Sequence, residues 1–277
     1  MGIIYNEGQK RCKFQLFAAW KAKSLKNQIS YGGRLNMKRI NLALIAAVLA
    51  LVLVFAGCKT NNAPSGDAPK EGSYAEMKGE DLDKIEEDNK EKEKYLVLDV
   101  RSADQYNEGH VKHAVNMPVE ELDSRIAEIE AYKDKNVVTV CNTGKKSSEA
   151  AQKLVDAGFK NVWNAQGVKD FNYTTTTKAA TLLPEEFKKR VESGEYTVID
   201  VRDEKDYNDG HMKDAIHTTV DTADADIETF PTDKPFLTYC YSGNRSWTVA
   251  DKLAQKGFEV YNAWDGTKEY DGYELVK

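Results

Sequence analysis

Thr238-Tyr-Cys-Tyr-Ser-Gly-Asn-Arg-Ser-Trp247 sets an apolar stretch ahead of a lone cysteine, follows it with small residues, and then enters a helical pattern. The arrangement recurs upstream in Thr139-Val-Cys-Asn-Thr-Gly-Lys-Lys-Ser-Ser148, where Cys141, Gly144, Lys146 and Ser147 match Cys240, Gly243, Arg245 and Ser246. A loop that leaves a strand's C-terminal end and enters a helix N-terminus directs backbone N–H groups at its first side chain. The helix dipole adds partial positive charge there. A thiol so placed ionises readily.

The repeat extends beyond the cysteines. Tyr95–Arg101 (Tyr-Leu-Val-Leu-Asp-Val-Arg) pairs with Tyr196–Arg202 (Tyr-Thr-Val-Ile-Asp-Val-Arg), and Gln105–His110 pairs with Asp206–His211. The offset is 101 residues at Asp99/Asp200 and His110/His211, then 99 at Cys141/Cys240 and Gly158/Gly257, so the first copy carries two extra residues between histidine and cysteine. Within each copy a helical, acidic stretch (78–90; 184–193) precedes an apolar strand (96–100; 197–201). A Gly-His segment, a short strand and a further helix (119–131; around 222–229) follow. The strand into the cysteine, its helix and a last strand (161–164; 259–262) complete the unit. In the helix after the cysteine, Ala150, Ala151, Leu154 and Val155 form an apolar face, matched by Val249, Ala250, Leu253 and Ala254. Gly158 and Gly257 stand where it should stop. Apolar strands alternating with helices predict an α/β fold in which a parallel sheet carries helices on both faces. Ligands of such sheets bind outside the carboxyl ends of the strands, where this pattern puts both cysteines.

The ordered set of Asp-Val-Arg after a strand, Gly-His before a small strand, the Cys-x-x-Gly-x-Arg/Lys-Ser loop and a Gly-Phe then Gly-rich ending (Gly167; Gly266) resembles the rhodanese, or thiosulfate sulfurtransferase, domain. The resemblance covers residues 74–173 and 182–277 and implies two compact rhodanese-like domains, each a parallel α/β unit. It further implies that the loop cysteine takes up sulfane sulfur as a persulfide and passes it to a nucleophile, with thiosulfate as an expected donor and a thiol or cyanide as acceptor. Two departures stand out: both copies keep a cysteine, whereas many two-domain members lack the first, and Lys146 stands where Arg is common.

On this reading Cys240 and Cys141 are the catalytic residues, and Arg245, Gly243, Ser246, Lys146, Lys145, Gly144 and Ser147 bind the substrate anion. Arg245 suits an oxyanion through its planar fork, while Lys146 and Lys145 offer mobile point charges. Asp99, Arg101, Asp200 and Arg202 are expected to be structural, and His110 and His211 to be packing residues. The acidic run 80–93 is expected to be a solvated helix face, and Trp247 a wall beside the second site. Phosphatases of this fold also use a loop cysteine, but carry Arg six positions after it. Ser147 and Ser246 hold that position here, and the shorter loop fits a sulfur atom better than a phosphoryl group. The alternative from another class is a non-enzymatic, persulfide-carrying or redox-sensing module.

No dinucleotide fingerprint or P-loop is present, so no cofactor is expected. Neither loop cysteine has a second Cys or His at ligand spacing, so no metal site is expected.

Ahead of these domains, Lys38 and Arg39 precede an almost unbroken Leu/Ala/Val/Ile run (40–55) that ends in Ala-Gly-Cys58. This secretory pattern resembles a bacterial lipoprotein signal, although Phe55 stands where that family usually has Leu. It implies a signal over 37–57, lipidation of Cys58, a flexible tether over 58–73, and a protein anchored on the outer face of a bacterial membrane. Met37 is then the start of translation and 1–36 a mis-assigned start. The competing reading is a genuine long N-terminus and a spanning anchor. Of 39 basic and 45 acidic residues, nine basic and one acidic lie before Ile40, which leaves 30 and 44, a net charge of −14. Such a surface argues against nucleic acid as a partner. With Cys12 in the extension and Cys58 in the signal, only Cys141 and Cys240 remain, so a disulfide framework is not expected.

Overall fold

The computed structural model describes residue 64 and residues 68–277; the predicted leader and Cys58 lie outside the described residues. Among the described residues no helix is long and apolar enough to cross a membrane.

The first half opens with β1 (Ala75–Met77), α1 (Gly79–Glu87) and α2 (Asn89–Lys92), then enters β2 (Tyr95–Asp99), whose five residues are all buried. The segment α3 (Ala103–Glu108), β3 (His110–Val111) and β4 (Val115–Asn116) leads to α4 (Leu122–Arg125). Beyond it, β5 (Asn136–Val140) runs into Cys141, α5 (Lys145–Asp156) follows the loop, and β6 (Asn161–Ala165) closes the half. A short β7 (Thr176–Thr177) pairs antiparallel with β3.

The second half repeats the plan. It comprises β8 (Ala180–Leu182), α6 (Pro184–Ser193), β9 (Thr197–Asp200), α7 (Glu204–Asp209), β10 (Ile216–His217), α8 (Ala223–Asp226), β11 (Phe236–Tyr239), α9 (Asn244–Gln255) and β12 (Val260–Ala263). Each expected helix over 119–131 and 222–229 is a single α-turn continued as a 3-10 segment, Ile126–Tyr132 or Ile227–Thr229. The first 3-10 segment is the longer, in the connection that carries the two extra residues.

Each half forms a five-stranded parallel sheet in the same order, β1-β6-β5-β2-β4 and β8-β12-β11-β9-β10. The halves also join. β4 pairs parallel with β8 at Val115 and Thr181, so a single ten-stranded sheet runs through the molecule. Tyr106 secures this seam, because its hydroxyl donates to Ala114 O at 2.7 Å and accepts from Thr181 N at 3.0 Å. His110 stacks on Tyr106 with ring centroids 3.6 Å apart and reaches Ala179 O, which makes it the packing residue the sequence suggests. The core crosses the seam as well: Leu183 and Trp264 of the second half pack with Leu96, Leu122 and Ile129 of the first.

The helices after the cysteines bury the expected faces, with Ala150, Ala151 and Leu154, or Val249, Ala250 and Leu253, fully inside. Both stop at glycines of positive φ, Gly158 (91°) and Gly257 (87°). There Phe159 N and Phe258 N bond back to Leu154 O and Leu253 O.

One expectation fails. The run 80–93 is not a solvated face, because Asp81, Asp83, Glu86 and Lys92 are buried. Asp83 accepts hydrogen bonds from the backbone and hydroxyls of Thr174 and Thr175, and the second half covers Lys92.

Candidate active site

Both cysteines stand immediately after the C-terminal ends of β5 and β11, buried and free. Each loop turns through a left-handed glycine, Gly144 (φ 77°) or Gly243 (φ 76°), before its helix begins. At Gly243 a side chain is excluded twice, since a Cβ would also overlap Ala263 O. The Gly-rich ending clamps the loop from the other side. Val168 N and Lys169 N donate to Cys141 O and Asn142 O at 2.9 Å, and Thr267 N and Lys268 N donate to Cys240 O and Tyr241 O at 3.0 Å. Gly167 and Gly266 permit this approach, because a Cβ at either would overlap the loop backbone.

At the first site, Ser147 N lies 3.4 Å and Ser147 Oγ 3.3 Å from Cys141 Sγ. The hydroxyl has one proton and donates it to Asn164 Oδ1 at 2.6 Å. Its oxygen therefore suits a thiol S–H, and the backbone N–H is the donor a thiolate meets. At the second site Ser246 Oγ lies 3.5 Å from Cys240 Sγ. Asn262, at the position matching Asn164, instead donates to Gly243 O and Ala263 O at 3.0 Å and accepts from Thr238 Oγ1. Sequence reasoning missed both asparagines as supports of the loop. The recurrence of Asn-Ala at 164–165 and 262–263 was the available signal.

Two of the predicted anion-binding cations, Lys146 and Arg245, are exposed and already held by carboxylates. Lys146 Nζ lies 2.6 Å from Glu120, and Arg245 Nη1 lies 2.8 Å from Asp203 while its guanidinium sits over the Tyr241 ring. An incoming anion competes with those carboxylates. Lys145 is exposed and, with Thr143 and Gly144, lines an open cleft of about 1010 Å3 that also takes in Lys70 and Lys78.

Asp99–Arg101 and Asp200–Arg202 are buried ion pairs at 2.6 Å. Their arginines also donate to Gly109 O and Gly210 O, tying each strand end to its Gly-His segment. That is the structural role the sequence suggests. His211 stacks on Tyr207, and His217 meets Arg202 O at 2.9 Å.

Trp247 does not form a free wall of the second site. It packs on the first half, 5.4 Å from the His113 ring, with Lys112 Nζ 4.3 Å from its own ring centroid. Near it lies a group that sequence reasoning also missed. The side chains of Glu86 and His113 are buried, 3.8 Å apart, and neither makes a hydrogen bond among the described residues. Burial pushes the Glu86 carboxyl up to about 8 and the His113 imidazole well below the usual histidine value.

The rhodanese-like domain model matches residues 82–171 and 183–272. The chain is 40% identical over 73 residues to the thiosulfate sulfurtransferase PspE of Escherichia coli strain K12, across 26% of this chain and 70% of that protein. Among solved structures, a rhodanese with anions from E. coli is 35% identical and is covered over 99% of its length, against 31% of this chain, with a TM-score of 0.29. A thiosulfate sulfurtransferase from Pseudomonas aeruginosa is 18% identical, with 73% of this chain and 43% of that one covered and a TM-score of 0.32. The chain belongs to the rhodanese-like domain family and carries two such domains in tandem.

Proposed function

We propose that the protein is a sulfurtransferase that moves sulfane sulfur from thiosulfate or a persulfide donor to a thiophilic acceptor through a cysteine persulfide. The observation that carries this reading is the pair of short loops, each with a buried cysteine at a strand end and Ser147 or Ser246 six positions on, within hydrogen-bonding range of Sγ. The cysteine thiolate attacks the outer sulfur of thiosulfate and a new S–S bond forms. The original S–S bond breaks, and sulfite leaves with its electron pair. Cyanide or a thiolate then attacks the terminal sulfur, takes it as thiocyanate or a persulfide, and returns the cysteine thiolate. No net redox change and no further cofactor are required.

Backbone N–H groups at the loop and the helix N-terminus favour each anionic state of this cycle. Arg245 and Lys146 are the cations that receive the thiosulfate oxyanion, in exchange for Asp203 and Glu120. The loop leaves no Arg at the sixth position for a phosphoryl group. Steady-state thiosulfate:cyanide turnover, run beside phosphate-ester hydrolysis, tests the assignment: sulfur transfer without hydrolysis supports it. Hydrolysis lost on Cys→Ser, with no sulfur transfer, overturns it.

A further inference from the structure

The two sites differ in one feature that the repeat does not contain. Lys92, at the end of α2 in the first domain, is buried to 1% exposure against the second domain's cysteine loop. Its Nζ donates to Trp264 O at 2.8 Å and Ser242 O at 3.2 Å, and lies 4.5 Å from the Trp264 ring centroid. Ser242 is the second residue after Cys240. All peptide bonds among the described residues are trans, so a lysine held on Ser242 O fixes the peptide whose N–H, that of Gly243, points the opposite way. Nearby, Asn244 at the start of α9 donates to Asn89 O and Glu93 Oε1. The first domain thus holds one wall of the second loop. Among the described residues the first loop has no such wall, and Thr143 and Gly144 line the open cleft. Counting by the repeat, Lys92 corresponds to Ser193, which is exposed and whose hydroxyl bonds locally, donating to Arg190 O and accepting from Glu195 N.

We infer that Lys92 is a positioning residue for Cys240, supplied across the domain boundary: its ammonium group fixes the loop and favours the thiolate, so the second site works only with the first domain docked. Lys92 faces carboxylates as well as the loop, with Asp265 and Glu93 beside it. Asp265 accepts from Tyr132 Oη at 2.8 Å, and Glu93 accepts from Asn244. Glu269, Glu86 and His113 also lie near Lys92, with Lys112 near Glu86, and burial pushes the Glu86 carboxyl up to about 8 and the His113 imidazole well below the usual histidine value. Burial lowers the Lys92 pKa from the ordinary lysine value, while Glu86, Asp265, Cys240 and Glu93 oppose that shift. Two carbonyl acceptors and the face of Trp264 further favour the protonated form.

The inference rests on Cys240 as the sulfur-carrying thiol, but its test does not require sulfur transfer. Full-chain protein is alkylated with iodoacetamide across the thiol pH range, and peptide mass spectrometry follows Cys240 and Cys141 separately. Lys92→Met and Lys92→Gln should raise the midpoint for Cys240 by about half a pH unit or more, the effect of removing one positive charge beside the loop, and leave Cys141 in place. Lys92→Arg should restore most of the wild-type midpoint. Lys92→Gln keeps a donor near the loop and serves if the methionine variant fails to fold. A folded Lys92→Gln with an unchanged Cys240 midpoint, or a common shift of both cysteines, overturns the inference. A wild-type protein that transfers no sulfur, with the shift intact in the variants, would count against the proposed activity alone.

Discussion

Replacing Glu86 with glutamine isolates the energetics of the buried group between the domains. Glu86 is fully buried with neither carboxyl oxygen hydrogen-bonded, and burial raises its pKa from 4.5 to about 8. The folded protein therefore holds a proton that the unfolded chain releases at lower pH. The contribution of Glu86 to stability is whole below pH 4.5 and is lost as pH rises through about 8. Each pH unit in that window costs about 1.4 kcal/mol, so the loss reaches about 3 kcal/mol at pH 7 and about 5 kcal/mol above pH 8. Glutamine has nearly the same shape and does not titrate. Urea unfolding of the wild type and Glu86→Gln should therefore give a stability difference that moves in favour of the variant by about 1.4 kcal/mol per pH unit, then levels off near pH 8. A difference that stays constant over the window would refute the reasoning, by showing that Glu86 is ionised and paired in the folded state.

Four further outcomes are expected. Cys240→Ser should remove most thiosulfate:cyanide activity and Cys141→Ser should leave most of it, because the second loop has Arg245 and the wall from the first domain; equal losses in steady-state assays would show the sites to be equivalent. Arg245→Lys should raise the KM for thiosulfate roughly tenfold with a smaller change in kcat, since lysine lacks the paired donors of the guanidinium. Gly266→Ala should destabilise by about 2 kcal/mol or more in urea unfolding, because the new Cβ overlaps Cys240 O and Tyr241; a change within error would mean that the ending does not clamp the loop. Mass spectrometry of membrane-extracted protein should show a lipidated Cys58, and an intact 40–55 segment in the mature species would defeat that expectation.

The repeat, the alternation of strands and helices, and the glycine stops at 158 and 257 could be read from the sequence because each is local. Apolar continuity marks a buried strand, and a left-handed residue ends a helix whatever lies nearby. The joining of the half-sheets was not legible. It rests on β4, two residues long, meeting a strand more than sixty residues away, and neither strand carries a mark of its partner. The burial of Glu86 and Lys92 was hidden for a related reason. Leu82 and Ile85 mark one buried face of α1, but the second domain covers the flank beyond it, so residues of solvent-facing type lie inside. The loop cysteines were found by position. Asn164 and Asn262 were missed because a polar residue at a strand end has no signature until the loop it supports is in place.

Intact-mass analysis of the full chain after exposure to thiosulfate tests sulfur transfer most directly. The account predicts the added mass of one sulfur atom, placed on Cys240 by peptide analysis, removed by cyanide or a reducing thiol, and absent from Cys240→Ser once Cys141 is also replaced. A protein that takes up no sulfur while both thiols alkylate freely would contradict it.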